Sequence, residues 1–233
     1  MSIFKFKQFN IDQTNSAMKI GTDAMIFGAL IETTDKKNGL DIGTGTGVLS
    51  LMVAQNNPSL QIKAIEIEEN AFLEAKTNFE KSPFQNQLQA IYSDIKEFHS
   101  ENQFDLIFTN PPYFANSSKS VSGIRNLARH TDALSWKELA LKVSELLSDD
   151  GDFWVILPLE GMQLLREQLQ ELNFFLNQEI ILFGKENQAV RNVYSFSKTQ
   201  KQTTKREIII RQADNQYTDA YKKLTIEYHF NTL

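Results

Sequence analysis

Asn110-Pro111-Pro112-Tyr113 is the segment of this sequence best suited to carry out chemistry. It closes the apolar run Phe104–Thr109, which reads as a strand, so its groups stand at a strand end. An exocyclic amine conjugated to a ring or carbonyl is a poor nucleophile, because its lone pair is delocalised. Two acceptors, the Asn110 side-chain oxygen and the Pro111 carbonyl, can take both amine hydrogens and favour a pyramidal nitrogen whose lone pair faces an electrophilic methyl. Proline within the turn restricts the backbone and keeps that carbonyl aimed. Tyr113 offers a ring face for a planar base or amide. The chemistry would rest on orientation and acceptor placement, with no general base of matched pKa required at the start. A bare tetrapeptide of this kind also serves as a plain strand-ending turn, so its weight depends on what accompanies it.

Three features accompany it. Leu40-Asp41-Ile42-Gly43-Thr44-Gly45-Thr46-Gly47 is an apolar strand running into a glycine-rich turn and then a helix. Glycines there let the backbone approach a ligand where a Cβ would collide. A dinucleotide fingerprint starting at Gly43 would need a sixth-position glycine, where Val48 stands; the pattern is G-x-G-x-G. Glu66 ends the next strand-like run, 21 residues after Gly45, where a carboxylate can accept from the two hydroxyls of a nucleoside ribose. The alternative is a solvated charge beside Glu68 and Glu69. Asp94 closes a third run, in Tyr92-Ser93-Asp94-Ile95; its carboxylate could accept from an adenine amino group or could equally cap a helix.

The elements that must position these residues follow from period and punctuation. Strand-like runs at Gly39–Ile42, Gln61–Ile67, Gln87–Tyr92, Phe104–Thr109, Asp152–Leu157 and Glu179–Phe183 alternate with helix-like segments at Gly47–Gln55, Glu69–Lys81, Trp136–Leu147 and Met162–Leu172. This alternation predicts an α/β fold with a mainly parallel sheet. Val190–Ser197 and Glu207–Arg211 read as strands of a hairpin or an antiparallel edge, and Tyr217–Tyr228 reads as a last helix. Residues 1–37 form an N-terminal capping segment, with Asp23–Ile31 a helix capped by Thr22; residues 38–233 form a single domain. Asn116–Ser122 is polar enough for a loop.

The chain has 233 residues, 41% of them hydrophobic, enough for one sizeable core. It contains no cysteine, and His99, His130 and His229 are scattered, so neither thiol chemistry nor a metal centre is expected. No apolar run approaches the ~20 residues that span a bilayer, and the N-terminus lacks the apolar core of a secretory signal, so a cytoplasmic protein is expected. The formal charge of −5 argues mildly against a general nucleic-acid coat. Locally the balance differs. Leu106–Thr131 contains no acid but carries Lys119, Arg125 and Arg129, and Lys185–Arg211 carries seven basic residues against Glu186 and Glu207. These are either basic surfaces or ordinary solvated faces.

Taken together, Asp41–Gly47, Glu66, Asp94 and Asn110-Pro111-Pro112-Tyr113 resemble the class I S-adenosylmethionine-dependent amino-methyltransferases. Phe6-Lys7-Gln8-Phe9, Met18-Lys19-Ile20-Gly21-Thr22-Asp23, Arg129-His130-Thr131 and Asn215–Tyr221 resemble, within that family, the bacterial tRNA1(Val) adenine-37 N6-methyltransferases. The resemblance spans nearly the whole chain. It implies a Rossmann-like class I methyltransferase fold, with a mainly parallel seven-stranded sheet flanked by helices and an antiparallel C-terminal edge. It implies S-adenosyl-L-methionine as cofactor, with Gly43, Gly45 and Gly47 around the methionine part and Asp41 at its amino group. Glu66 would hold the ribose, Asp94 the adenine, and Lys19, Gly21 and Thr22 would close the methionine side. Asn110, Pro111 and Tyr113 would be catalytic, with Asn110 also beside the cofactor. The implied substrate is tRNA, with Lys119, Arg125 and Arg129 as candidates for phosphate contact; loop 116–122 matches no pattern of the family. No membrane and no metal is expected as partner. Nothing in the residues fixes the oligomeric state, for which a monomer is the expectation. Methylation of a protein glutamine, DNA adenine methylation and a catalytically silent cofactor-binding subunit stay open.

Overall fold

The computed structural model describes residues 2–15, 19–111 and 134–230. Strands β1 (Ile3–Lys5) and β2 (Asn10–Asp12) pair as an antiparallel ribbon ahead of helix α1 (Thr22–Leu30). The chain then alternates: β3 (Asn38–Ile42), α2 (Val48–Asn56), β4 (Gln61–Glu66), α3 (Glu69–Glu80), β5 (Leu88–Tyr92) and β6 (Phe104–Thr109). Helix α4 (Trp136–Leu146), β7 (Leu147–Leu157), α5 (Leu159–Glu171), β8 (Phe175–Phe183), β9 (Ala189–Ser197), β10 (Thr204–Ile209) and α6 (Asp219–Thr225) complete it.

Eight strands form the main sheet, in the order β10-β8-β9-β7-β6-β3-β4-β5. Parallel neighbours hold except around β9, which runs antiparallel to both β7 and β8. Val190–Ser197 and Glu207–Arg211 therefore do not make a hairpin with each other. The antiparallel strand is internal, and the edge strand β10 runs parallel to β8. Seven strands were expected and eight are present: β3 through β9 supply seven, and Thr204–Ile209 adds an eighth beyond β8.

Both faces of the sheet are covered, which is why its strands read as near-continuous apolar runs. Side chains alternate between the two faces with a period of two. Leu106, Phe108, Trp154 and Ile156 join α1 and α2 in one cluster, which also receives Phe6, Phe9 and Ile11 from the N-terminal ribbon. Ile107, Phe153, Val155 and Leu157 join α4 and α5 in the other. Helix α2 is buried from Val48 to Ala54, so it has no polar face to orient it. By contrast, α4 begins with a capping box in which the Ser135 hydroxyl accepts from the Glu138 N–H and Glu138 accepts from the Ser135 N–H. Helix α1 is capped from Gly21 rather than Thr22, which is already inside the first turn.

From β3 the chain steps outward to β4 and β5, then returns across to β6 on the other side of β3. The carboxyl ends of β3 and β6 thus flank the point where the winding direction reverses, and ligands in open α/β sheets lie outside such a crevice.

Candidate active site

The glycine turn leaves the carboxyl end of β3 and Asn110 leaves the carboxyl end of β6. These strands pair in parallel with Ile42 opposite Thr109, so Gly43 and Asn110 emerge side by side. The Thr109 hydroxyl donates to the Ile42 carbonyl at 2.7 Å in a fully buried contact, which fixes the two strand ends to each other. Pro111 is buried behind them.

The turn itself is held by its neighbours. Gly43 and Thr44 both donate their N–H groups to the Ile65 carbonyl of β4, each at 2.9 Å. Gly43, Gly45 and Gly47 have φ of +71°, +58° and +85°, in the left-handed region. A Cβ on Gly45 would meet nothing within 4 Å, so the turn presents bare backbone to open space there. A Cβ on Gly47 would lie 2.4 Å from the Phe79 ring. Gly45 is thus needed for what approaches from outside, and Gly47 for the packing of α3 against the turn.

Asp41 is wholly buried beneath the turn. One carboxylate oxygen, Oδ2, accepts from the hydroxyls of Thr44 and Ser50, each at 2.7 Å, while Oδ1 is buried without a donor. Burial pushes its pKa up to about 6, against the pull of those two hydroxyls, and the negative charge of Glu66 adds to the rise. A raised folded-state pKa contributes stability that is fully present below the ordinary value of 3.8 and is lost as pH rises through about 6. The stability difference between the wild-type chain and Asp41→Asn, measured by urea unfolding without ligand, should therefore drift against wild type by up to about 3 kcal/mol across that window. A difference that stays constant with pH would show that Asp41 does not titrate there.

Glu66, also buried, accepts the Gly45 N–H at 2.8 Å on Oε2 and the Ile67 and Glu68 N–H groups at 2.9 Å on Oε1. It is therefore no solvated charge, and it ties the end of β4 to the glycine turn. Asp94 lies beyond the end of β5, which pairs with β4. Its Oδ1 accepts the Lys96 N–H at 2.8 Å and its Oδ2 lies 3.6 Å from the Lys96 ammonium. Its carbonyl also accepts from Glu97 and Phe98, so it caps a short turn at the same edge of the sheet. No helix follows it before β6, so its carboxylate caps a turn and not a helix.

The N-terminal candidates form a loop folded on itself. The Lys19 ammonium donates to the Gln13 carbonyl, and the Ile20 N–H donates to the buried Gln13 side chain at 2.9 Å. Gly21 and Thr22 follow at the start of α1, where Asp23 pairs with Arg191 of β9 at 2.9 Å. Tyr113, Lys119, Arg125, Arg129 and loop 116–122 lie outside the described residues.

Sequence reasoning missed the residues that hold this loop in place. Asn78 and Glu74 sit on the buried stripe of α3, one helical turn apart, among Ala71, Ala75 and Phe79. Polar residues on an otherwise apolar stripe were the available signal, since burying them requires partners. Among the described residues, no group of three or more His, Cys, Asp or Glu could hold a metal ion, and no helix is long and apolar enough to cross a membrane.

The family model of the methyltransferase small domain matches residues 14–179. The chain belongs to that family. The match takes in the strand ends that flank the switch-point crevice and, from Thr14 onward, the segment ahead of β3. Among its relatives is a protein of Pedobacter heparinus, 38% identical over 95% of each chain, named tRNA1(Val) (adenine(37)-N6)-methyltransferase. A protein of the same name from Actinobacillus pleuropneumoniae is 38% identical over 98% of this chain and 97% of its own. Of the solved structures, a predicted O-methyltransferase from Agrobacterium tumefaciens shares the fold, with a TM-score of 0.70 at 13% identity, covering 90% of this chain and 98% of that one.

Proposed function

We propose that this methyltransferase transfers the methyl group of S-adenosylmethionine to N6 of an adenine in tRNA, adenine 37 of a valine tRNA, as the names of its relatives specify. The observation that carries this reading is the β3–β6 register, which seats the two amine acceptors of Asn110-Pro111 beside the glycine turn.

The residues present fit the cofactor. Gly43 and Gly45 leave open space in front of the turn, and Asp41 keeps one buried oxygen without a donor, which the ammonium of a methionine moiety would satisfy. We assign Glu66 at the end of β4 to the ribose hydroxyls and Asp94 beyond the end of β5 to the adenine. Lys19, Gly21 and Thr22 close the other side. When bound, S-adenosylmethionine supplies an electrophilic methyl on a sulfonium sulfur. The chain's own residues then act on the amine. Asn110 Oδ1 and the Pro111 carbonyl would accept its two hydrogens, hold its lone pair toward the methyl, and stabilise the positive charge that grows on nitrogen, whose surplus proton would then leave to solvent as the neutral methylated amine is released. Tyr113 is assigned the base-stacking face. The target base must leave its stack to reach them, at a lower cost in a loop than in a duplex.

The basic run also sorts itself in a way that supports an RNA substrate. Lys198, Lys201 and Lys205 lie at the amino edge of the sheet and pair with Asp149, Asp152 and Glu179. Lys185 and Arg211 lie at the carboxyl edge, just past β8 and β10. There Arg211 stacks 4.2 Å from the Tyr217 ring centre and Lys185 donates to the Ala213 carbonyl. Replacing both Lys185 and Arg211 by Ala should weaken tRNA binding uniformly and lower the slope of log affinity against log salt by roughly 1–2. An unchanged slope in a filter-binding titration would remove them from the RNA interface.

The deciding experiment is methyl transfer from radiolabelled S-adenosylmethionine into bulk tRNA from a strain lacking the gene, with nucleoside analysis of the product. Labelled N6-methyladenosine is expected. No label in RNA, with the cofactor still bound, would overturn this reading in favour of a protein glutamine substrate.

A further inference from the structure

Asn78 occupies a place that the mechanism does not use. Its side chain is 2% exposed, and its amide meets two different parts of the site. Oδ1 accepts the Asp12 N–H at 2.8 Å, while Nδ2 donates to the Asp12 carbonyl and to the Thr46 carbonyl, both at 2.9 Å. Asp12 ends β2 in the N-terminal strap, and Thr46 stands between the last two glycines of the turn. The amide thus spends both of its N–H groups and its acceptor on joining strap to turn. Glu74, one helical turn earlier, accepts the Asn15 N–H at 2.5 Å and extends the strap's seat along α3. Phe79, the next residue after Asn78, packs against Gly47.

Resting on the cofactor reading above, we propose that Asn78 is a positioning residue for S-adenosylmethionine. It sets the strap formed by residues 10–15 and 19–22 at a fixed height over the glycine turn, so that one cofactor orders both together. A buried amide of this kind has few substitutes. Alanine removes the partner of the part-buried Asp12 N–H and carbonyl and of the buried Thr46 carbonyl, and the strap and turn become free to move separately. Coupling of this sort travels through ordering, which makes it visible in amide exchange as well as in affinity.

The test uses the full chain and S-adenosylmethionine itself. In wild type, the cofactor should slow amide hydrogen exchange in residues 10–15 as well as in 43–47. In Asn78→Ala its affinity should fall about tenfold or more, and protection of 10–15 should disappear while that of 43–47 persists. Asn78→Ser leaves a hydroxyl that can accept from the Asp12 N–H or donate to one carbonyl; it should fold and still lose affinity, which covers the case of an alanine variant that does not fold. Lys76→Gly weakens the same helix without touching either partner, and it should lower Tm while leaving affinity and both protections unchanged. Wild-type affinity and strap protection in Asn78→Ala, or their equal loss in Lys76→Gly, would overturn the assignment alone. A wild-type chain that binds no S-adenosylmethionine would overturn the functional reading as well.

Discussion

Asn110→Ala is expected to lose roughly 10²–10³-fold in kcat, the usual cost of removing one preorganised group that stabilises charge developing in the transition state. Its affinity for S-adenosylmethionine should stay within about threefold of wild type, since a residue that acts on the amine leaves cofactor binding largely intact. The structural basis is the position of Asn110 at the end of β6, anchored by the buried Thr109 bond to Ile42. That bond holds the backbone from which Asn110 projects in place before substrate arrives. Asn110→Asp keeps an oxygen acceptor and should recover part of the lost rate. Single-turnover methylation of tRNA, with cofactor binding measured separately by calorimetry, separates the two quantities. If Asn110→Ala bound cofactor tenfold more weakly and turned over normally once saturated, the residue would belong to the cofactor site and not to the chemistry.

The second large effect divides the glycine turn. Gly47→Ala forces a side chain into a left-handed backbone at φ +85° and places a Cβ 2.4 Å from the Phe79 ring. Strain and overpacking together should cost roughly 2–5 kcal/mol, a fall in Tm of about 10 °C for a chain of this size. Gly45→Ala has the same kind of backbone, at φ +58°, but meets no atom within 4 Å. It should lose only about 1 kcal/mol of stability. Its Cβ instead stands in the space in front of the turn, and affinity for S-adenosylmethionine should fall about 10–100-fold, or ~1.4–2.8 kcal/mol. Thermal unfolding without ligand and cofactor titration of both variants check this together. Equal stability losses with unchanged affinity in Gly45→Ala would mean that the cofactor does not lie against this turn.

These two glycines carry the same signal in the sequence and do different work in the molecule. The pattern G-x-G-x-G announces a turn where backbone must come close to something, because only glycine tolerates both the dihedral angle and the approach. It does not say what approaches. For Gly45 that is open space, and for Gly47 it is Phe79, a residue 32 positions further on.

The sequence by itself determined the succession of strands and helices from β3 onward, the four strand ends and the residue types at them, but not the β1–β2 ribbon ahead of them. Apolar period, glycine and proline are local properties, and the short parallel units of an α/β fold obey them closely. It also carried the family, through motifs whose spacing reflects one turn at a time. What only the tertiary structure decided depends on partners far apart in the chain. Strand β10 found β8 rather than β9, because edge pairing is set by which backbone is left open once the sheet has assembled. Of the seven basic residues between 185 and 211, Lys185 and Arg211 came to one edge and Lys198, Lys201 and Lys205 to the other, because each strand reverses or preserves direction as it joins. Glu66 turned from a charge in an acidic run into the brace of the glycine turn. Asn78 gained its place because burying an amide requires donors and acceptors that only the packed strap and turn could bring to it.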